Sequence, residues 1–278
     1  MKFSLIMATL GRSDEIVRLF DSIVLQDYSD LEVIVVDQNL DDRVEKVIDR
    51  YKDLFSIVHL RCEKGRSRAL NVGLRAVTGS IVAFPDDDCW YKPGTLKYVA
   101  EQFSANPGID GLTGKSVAAN GTPSQGRWAI HAQDVDRFNI WTCATAYTIF
   151  LRRAAAEAAG DFDIELGVGT HSRWGAGEEV DYLLRVLARG HRVRYEADLR
   201  VHHPEPLAVL DAQAFSRGRR YNRGFGRVLR LNRYPAHYVA YMVGRPVAGC
   251  LLSCIRYRPA QARYYWIAAS QRLLGWMD

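Results

Sequence analysis

Ile81-Val82-Ala83-Phe84-Pro85 runs directly into Asp86-Asp87-Asp88. A short apolar run bounded in this way reads as a buried strand. Three consecutive carboxylates at its end repel one another. At about 4 Å and an effective dielectric near 20, each like-charged pair costs about 4 kcal/mol. A fold that keeps this segment must give the acids either water or a cation. A divalent metal with oxygen ligands is the simplest cation, and a solvated acidic turn is the alternative. In open α/β sheets, ligands bind just beyond the carboxyl ends of the strands, so the acids stand where chemistry is expected.

The surrounding sequence supplies such a sheet. Phe3 to Ala8, Leu31 to Val36, Ser56 to Leu60 and Ile81 to Phe84 read as strands. Between them lie helical patterns at 14–25, 41–51 and 67–77. The first has Ile16, Leu19, Phe20 and Ile23 on one side and Ser13 at its N-cap. Pro93 opens a further helix reaching Phe103. Strands alternating with helices imply crossover units and a mostly parallel sheet. No Gly-x-Gly-x-x-Gly or Gly-Lys-Ser/Thr loop follows any strand, which disfavours a dinucleotide-binding Rossmann site. Side chains and a metal must hold any nucleotide. Farther on, Gly175 to Gly190 reads as a helix with Val180, Leu183, Leu184 and Leu187 on one face. Glu178, Glu179 and Asp181 lie in its first turn, where the helix dipole favours acids in any case.

Charge divides the 278-residue chain unevenly. From Ala212 to Met277 there are 12 Arg and no Asp or Glu, leaving residues 1–211 with 25 basic residues against 31 acidic ones. An acidic body with a basic tail implies an anionic partner for the tail, either nucleic acid or anionic lipid. Five cysteines without a Cys-x-x-Cys pair exclude zinc-type spacing and fit a reducing cytoplasm. The apolar start is too short for a signal peptide. His237 to Ile255 is apolar but interrupted by Arg245-Pro246, so an interfacial amphipathic helix is expected rather than a membrane span. Tyr264, Tyr265, Trp266 and Trp276 suit that setting.

Six segments in order carry a resemblance. They are 4–12 (SLIMATLGR), 32–39 (EVIVVDQN), 65–74 (GRSRALNVGL), the strand with its acidic triplet, 162–169 (FDIELGVG) and 175–185 (GAGEEVDYLLR). With them the chain resembles the inverting family 2 glycosyltransferases of GT-A fold, over roughly residues 3 to 205. The resemblance implies an α/β, GT-A type, mostly parallel mixed sheet flanked by helices, with a helical basic C-terminal extension. The expected division is a catalytic domain at 1–211 (nucleotide-sugar half 1–110, acceptor half 111–211) and a membrane-associating tail at 212–278.

The resemblance also implies a nucleotide-diphospho-sugar donor, a Mg²⁺ or Mn²⁺ ion and transfer with inversion. The acidic triplet stands at the family's Asp-x-Asp motif, which makes Asp88 a metal ligand and gives Asp86 to metal or ribose. His203, ahead of His202, would complete the metal shell. Thr9 and Asp37 match positions contacting base and ribose, and Arg12, Asn39, Arg66, Asn71, Asp87 and Glu178 join the substrate-binding set. Glu179 matches the catalytic base, ahead of His171. Trp174 is a candidate for stacking on a sugar, with Trp141 another, and Tyr221 and Arg223 for meeting the diphosphate. The family often has a second acid where this chain has Gln38, and Arg where it has Leu70. Both departures bear on nucleotide identity. The acceptor implied is a surface glycan, lipid-linked and reached from the cytoplasmic face of the inner membrane, which selects lipid over nucleic acid as the tail's partner. A sugar nucleotidyltransferase is a rival, although only Gly11-Arg12 stands where it needs a glycine-rich basic loop. A non-catalytic glycan- or lipid-binding scaffold is another.

Overall fold

The computed structural model describes residues 1–205 and 209–278. The chain packs as two compact units. One comprises Met1–Lys64, Arg68–Asp161 and Tyr182–Pro206, and the other Gly65–Ser67, Phe162–Asp181 and Leu207–Asp278. A cut at 211, as composition suggests, coincides with only part of this division.

The first unit is built on one nine-stranded mixed sheet. In chain order it contains β1 (Phe3–Thr9), α1 (Asp14–Val24), β2 (Leu31–Asp37), α2 (Arg43–Ile48) and β3 (Ser56–Arg61). Then come α3 (Arg66–Leu74), β4 (Ile81–Ala83), β5 (Trp90–Tyr91), α4 (Thr95–Ala105), β6 (Gly111–Val117) and β7 (Gln133–Asp134). The series closes with β8 (Phe150–Arg152), α5 (Arg153–Ala159), α6 (Glu178–Ala188) and β9 (Val193–His202), with the division between units falling inside α3 and α6. The order is β3-β2-β1-β4-β8-β6-β9-β5, with β7 on β9. The β3-β2-β1-β4 half is parallel, as the alternation implied. All seven residues of β1 and of β2 are buried, which explains why they read as continuous apolar runs.

Three local expectations differ. Pro93 lies before the N-cap Gly94 and outside α4, which starts at Thr95. Ser13 occupies the N-cap of α1, but its hydroxyl makes no capping bond to the helix. β4 stops at Ala83, because Pro85 has no N–H for a ladder bond. The core joins strand and helix faces: Phe20 meets Tyr51 and Phe55 edge-on at 5.2 and 5.4 Å, and Phe3 meets Phe150 at 6.4 Å.

Register decides what meets what at the sheet's carboxyl edge. Thr9 pairs with Asp37, and Asp37 with Arg61. Leu5 pairs with Ala83, so the segment after β4 runs on toward Thr9. β5 then pairs antiparallel with β9, Trp90 opposite His202. That pairing returns the end of β9 to the acidic triplet.

The second unit contains the helices α7 (Ala212–Leu231), α8 (Ala236–Ile255) and α9 (Pro259–Met277). Asp211 caps α7 by accepting from the Ala214 N–H at 2.7 Å, and Pro259 sits at the start of α9. α7 and α9 approach closely because glycine faces backbone: a Cβ on Gly226 would stand 2.1 Å from the Arg272 carbonyl oxygen. The helix expected at 237–255 runs unbroken through Arg245-Pro246. α8 is one continuous helix, long and apolar enough to cross a membrane by length and composition. Val239, Met242, Pro246 and Ser253 are buried, whereas Leu251, Leu252 and Ile255 are exposed.

Candidate active site

Three loops meet at the carboxyl edge of the parallel half. Asp37 closes β2 with its carboxylate fully buried. One oxygen accepts from the Asn39 backbone N–H at 2.8 Å and from its Nδ2 at 2.7 Å. The other lies 3.2 Å from His59 Nε2 and 4.0 Å from Arg61. The Asn39 side-chain oxygen in turn accepts from the Gly11 N–H at 2.7 Å. Gly11 has φ +77°, a turn conformation that suits glycine. The loops after β1 and β2 are therefore stitched together, and a buried carboxylate is kept by its donors.

The acidic triplet faces this pair of loops. Asp87 accepts from the Thr9 hydroxyl at 2.7 Å. Arg12 Nη1 lies 2.5 Å from Asp87 and 2.6 Å from Asp88. Arg18 donates to the Asp88 carbonyl at 3.0 Å and lies 4.3 Å over the Trp90 ring. His203 Nε2 stands 3.0 Å from Asp88 Oδ1 and 3.9 Å from Asp86 Oδ2. Burial pushes the Asp87 carboxyl up to about 6, against the opposing pull of Arg12 and Thr9. Burial also raises Asp88, but the His203 hydrogen bond and charge, with Arg12, outweigh it and hold Asp88 below its ordinary value.

Asp86, Asp88 and His203 each offer one ligand atom, and these atoms lie within 4.8 Å of one another. Two carboxylates and one imidazole suit Mg²⁺ or Mn²⁺ with water completing the shell. His203 also has the right neighbours for a ligand. Its Nδ1 lies 2.8 Å from the Pro204 carbonyl and 3.1 Å from Gln125 Nε2, and a cation in place of the Nε2 proton would find that nitrogen already beside both acids. Its ring stacks on Tyr147 at 4.8 Å. His202 is otherwise engaged: it stacks on Trp90 at 5.1 Å and its Nδ1 meets the Ala118 carbonyl at 2.9 Å. Burial lowers its pKa. Neither departure noted from the sequence faces this edge with a charge. Gln38 bonds back to the Thr9 carbonyl at 3.3 Å, and Leu70 is buried. Asn71 is buried on α3.

The remaining candidates, Trp141 excepted, lie in the second unit. Glu178, 5% exposed, pairs with Arg66 Nε at 3.0 Å. The loop 167–169 closes on it: Gly167 has φ +105°, and a Cβ there would stand 3.1 Å from the Glu178 carboxylate. Ser67 Oγ donates to the Leu166 carbonyl at 2.6 Å, and the Arg66 N–H to that of Val168 at 3.0 Å. Glu178 thus anchors the loop, and Glu179 beside it is half-buried. Trp174 has Arg227 over its ring at 4.4 Å, and its Nε1 donates to Asp278 at 3.1 Å. Arg223 binds both Asp278 oxygens at 2.7 and 2.8 Å. Tyr221 and His171 are exposed, and Trp141 is half-buried in the 3₁₀ turn Ile140–Thr142. The sequence reading missed His59 and Arg61 beside Asp37. Their signal was the alternation of polar with apolar residues along β3.

Residues 4–158 match the family Glycosyl transferase family 2, more than half of the chain. The chain belongs to glycosyl transferase family 2. An uncharacterized glycosyltransferase of Nostoc sp. is 31% identical over 114 residues, 38% of this chain and 34% of that protein. The chain thus spans about a third of the Nostoc protein. Among solved structures, Staphylococcus aureus TarS 1–349 in complex with UDP-GlcNAc superposes with a TM-score of 0.63 at 18% identity, covering 98% of this chain and 92% of the other. The mannosyltransferase PcManGT of Pyrobaculum calidifontis, in complex with GDP-Man and Mn²⁺, does so at 0.64 and 17% identity, covering 98% and 87%. This family member shares their fold.

Proposed function

We propose that this family 2 glycosyltransferase moves a sugar from a nucleotide-diphospho-sugar to a glycan hydroxyl with inversion at the anomeric carbon. The observation that carries the reading is the Asp86–Asp88–His203 cluster, set beside Thr9 and Asp37 at one sheet edge. Asp86, Asp88 and His203 are the residues that would hold Mg²⁺ or Mn²⁺. A divalent cation bound there supplies charge that neutralises the departing diphosphate. The chain's own residues do the rest. Asp37, buried and braced by Asn39, His59 and Arg61, fixes the loop after β2 against the loop after β1, where ribose and base would be received. Arg12 balances Asp87 and Asp88 and keeps the triplet folded. Glu179 takes the proton from the acceptor hydroxyl, whose oxygen bonds to the anomeric carbon as the bond to the diphosphate breaks. The presence of a UDP-sugar in TarS and of GDP-Man with Mn²⁺ in PcManGT supports this donor class.

The acceptor is proposed to be a lipid-linked or otherwise membrane-delivered glycan, met at the cytoplasmic face. Support comes from the exposed Leu251, Leu252 and Ile255 of α8 in a tail without acids before Asp278. The test is turnover of purified protein with a panel of UDP- and GDP-sugars, with Mn²⁺, Mg²⁺ or EDTA. Cation-dependent release of nucleoside diphosphate, and a product of inverted anomeric configuration by NMR, are expected. Activity undiminished in EDTA would remove the metal from the reading, and pyrophosphate release would favour a nucleotidyltransferase.

A further inference from the structure

The second unit carries a cavity of about 570 Å³ lined by Arg227, Arg230, Leu231, Arg233, Tyr234 and Trp276. Half of this lining is arginine and none of it is acidic. Arg227, Arg230 and Leu231 follow one another at helical spacing (i, i+3, i+4) and share one face at the end of α7, with Tyr234 just past its last turn. The chain turns immediately afterwards: Arg233 has φ +49°, and the Tyr234 N–H bonds back to the Leu229 carbonyl at 3.0 Å. Arg233 thereby joins the same wall.

Trp276 reaches that wall from α9. It can do so because glycines meet backbone where the helices cross. A Cβ on Gly275 would stand 2.0 Å from the Arg223 carbonyl oxygen, matching the approach at Gly226. Arg227 is held in place by stacking on Trp174, yet its Nε is buried and meets no hydrogen-bond acceptor among the described residues. A buried guanidinium N–H without an acceptor is costly. The nearby carboxylate of Asp278 is bound through both oxygens by Arg223.

Guanidinium groups donate in pairs to carboxylate and phosphate oxygens alike, and three of them in one wall offer more positive charge than a single carboxylate balances. Trp276 and Tyr234 offer apolar surface for an organic group beside the anion. The volume falls within the range of small-molecule sites, roughly 300–1,000 Å³, and exceeds what a bare phosphate fills. We propose that this cavity binds a phosphate or diphosphate ester, the anionic group by which an acceptor is presented. Its assignment to the acceptor rests on the transferase reading; binding of the anion does not.

The test uses the full chain in EDTA, which silences cation-assisted binding at Asp86, Asp88 and His203. Geranyl diphosphate is titrated by calorimetry, and vesicles of phosphatidylcholine with and without phosphatidylglycerol are used in co-sedimentation. Wild type and Asp88→Ala are expected to bind alike, and Arg230→Gln/Arg233→Gln roughly tenfold or more weakly, with an unchanged circular dichroism spectrum. Loss of geranyl diphosphate binding in the arginine variant assigns a soluble ester. Loss confined to the phosphatidylglycerol vesicles assigns a lipid headgroup, and either supports the site. Equal binding by the arginine variant with both probes overturns it, and so does binding that disappears in Asp88→Ala. The single variant Trp276→Ala, which keeps every arginine, is expected to weaken geranyl diphosphate while sparing inorganic pyrophosphate.

Discussion

Glu32 shows how one buried acid can be an asset to stability. It is 3% exposed on β2, an interior strand one in from the sheet's β3 edge. Lys2 pairs with it at 2.9 Å, Ser4 donates at 2.5 Å, and Thr78 donates from its backbone at 2.9 Å and its hydroxyl at 2.7 Å. Burial alone would raise its pKa, but these donors lower it to about 2. The folded value lies below the unfolded one, so the stabilisation is complete above about pH 4.5 and is lost as pH falls toward 2. Glu32→Gln is expected to cost about 3 kcal/mol at pH 7. In urea unfolding, the gap from wild type should narrow as pH is lowered from 5 to 3; a constant gap would contradict the account. The two adjacent histidines make a second comparison. His203→Gln should weaken Mn²⁺ affinity by about 10- to 100-fold, judged from the effect of perturbing metal shells. His202→Gln should leave it within a few-fold, since His202 is committed to Trp90 and Ala118. Sequence alone could order these two histidines only by resemblance, because what separates them is stacking and a tautomer.

At the scale of elements, the crossing of α7 and α9 depends on the missing side chain of Gly226. The Arg272 carbonyl, 2.1 Å from a Cβ there, is backbone and cannot rotate away. Gly226→Ala is expected to force the helices apart at a cost of about 1–3 kcal/mol, seen as a lowered melting temperature. An unchanged melting temperature would mean that the crossing tolerates a methyl group. The strands divide by how much pattern they carry. β1 and β2 were legible, each being seven buried residues. β5 and β7 have two residues each and β8 has three, too few for any period to register. α8 carries its irregularity in composition and not in its backbone. Arg245-Pro246 breaks the apolar pattern, yet Pro246 lies within a continuous helix and is itself buried.

For the whole molecule, the decisive experiment is to separate donor binding from transfer. Glu179→Gln should lower kcat by about 10²- to 10⁴-fold, the usual worth of a positioned base, while calorimetry shows the sugar nucleotide binding as before. Near-normal transfer by this variant would take Glu179 out of that role. The sequence by itself determined the parallel half of the sheet, the position of the acidic triplet at a strand's end and the family. Those are local facts, written in apolar runs and in residues that are neighbours along the chain. Tertiary structure alone decided that His203 faces Asp88, that His59 and Arg61 brace Asp37, and that Arg227, Arg230 and Trp276 share one cavity. Each of those contacts is set by strand register or by the crossing of two helices. Both depend on packing between distant segments, which no local pattern encodes.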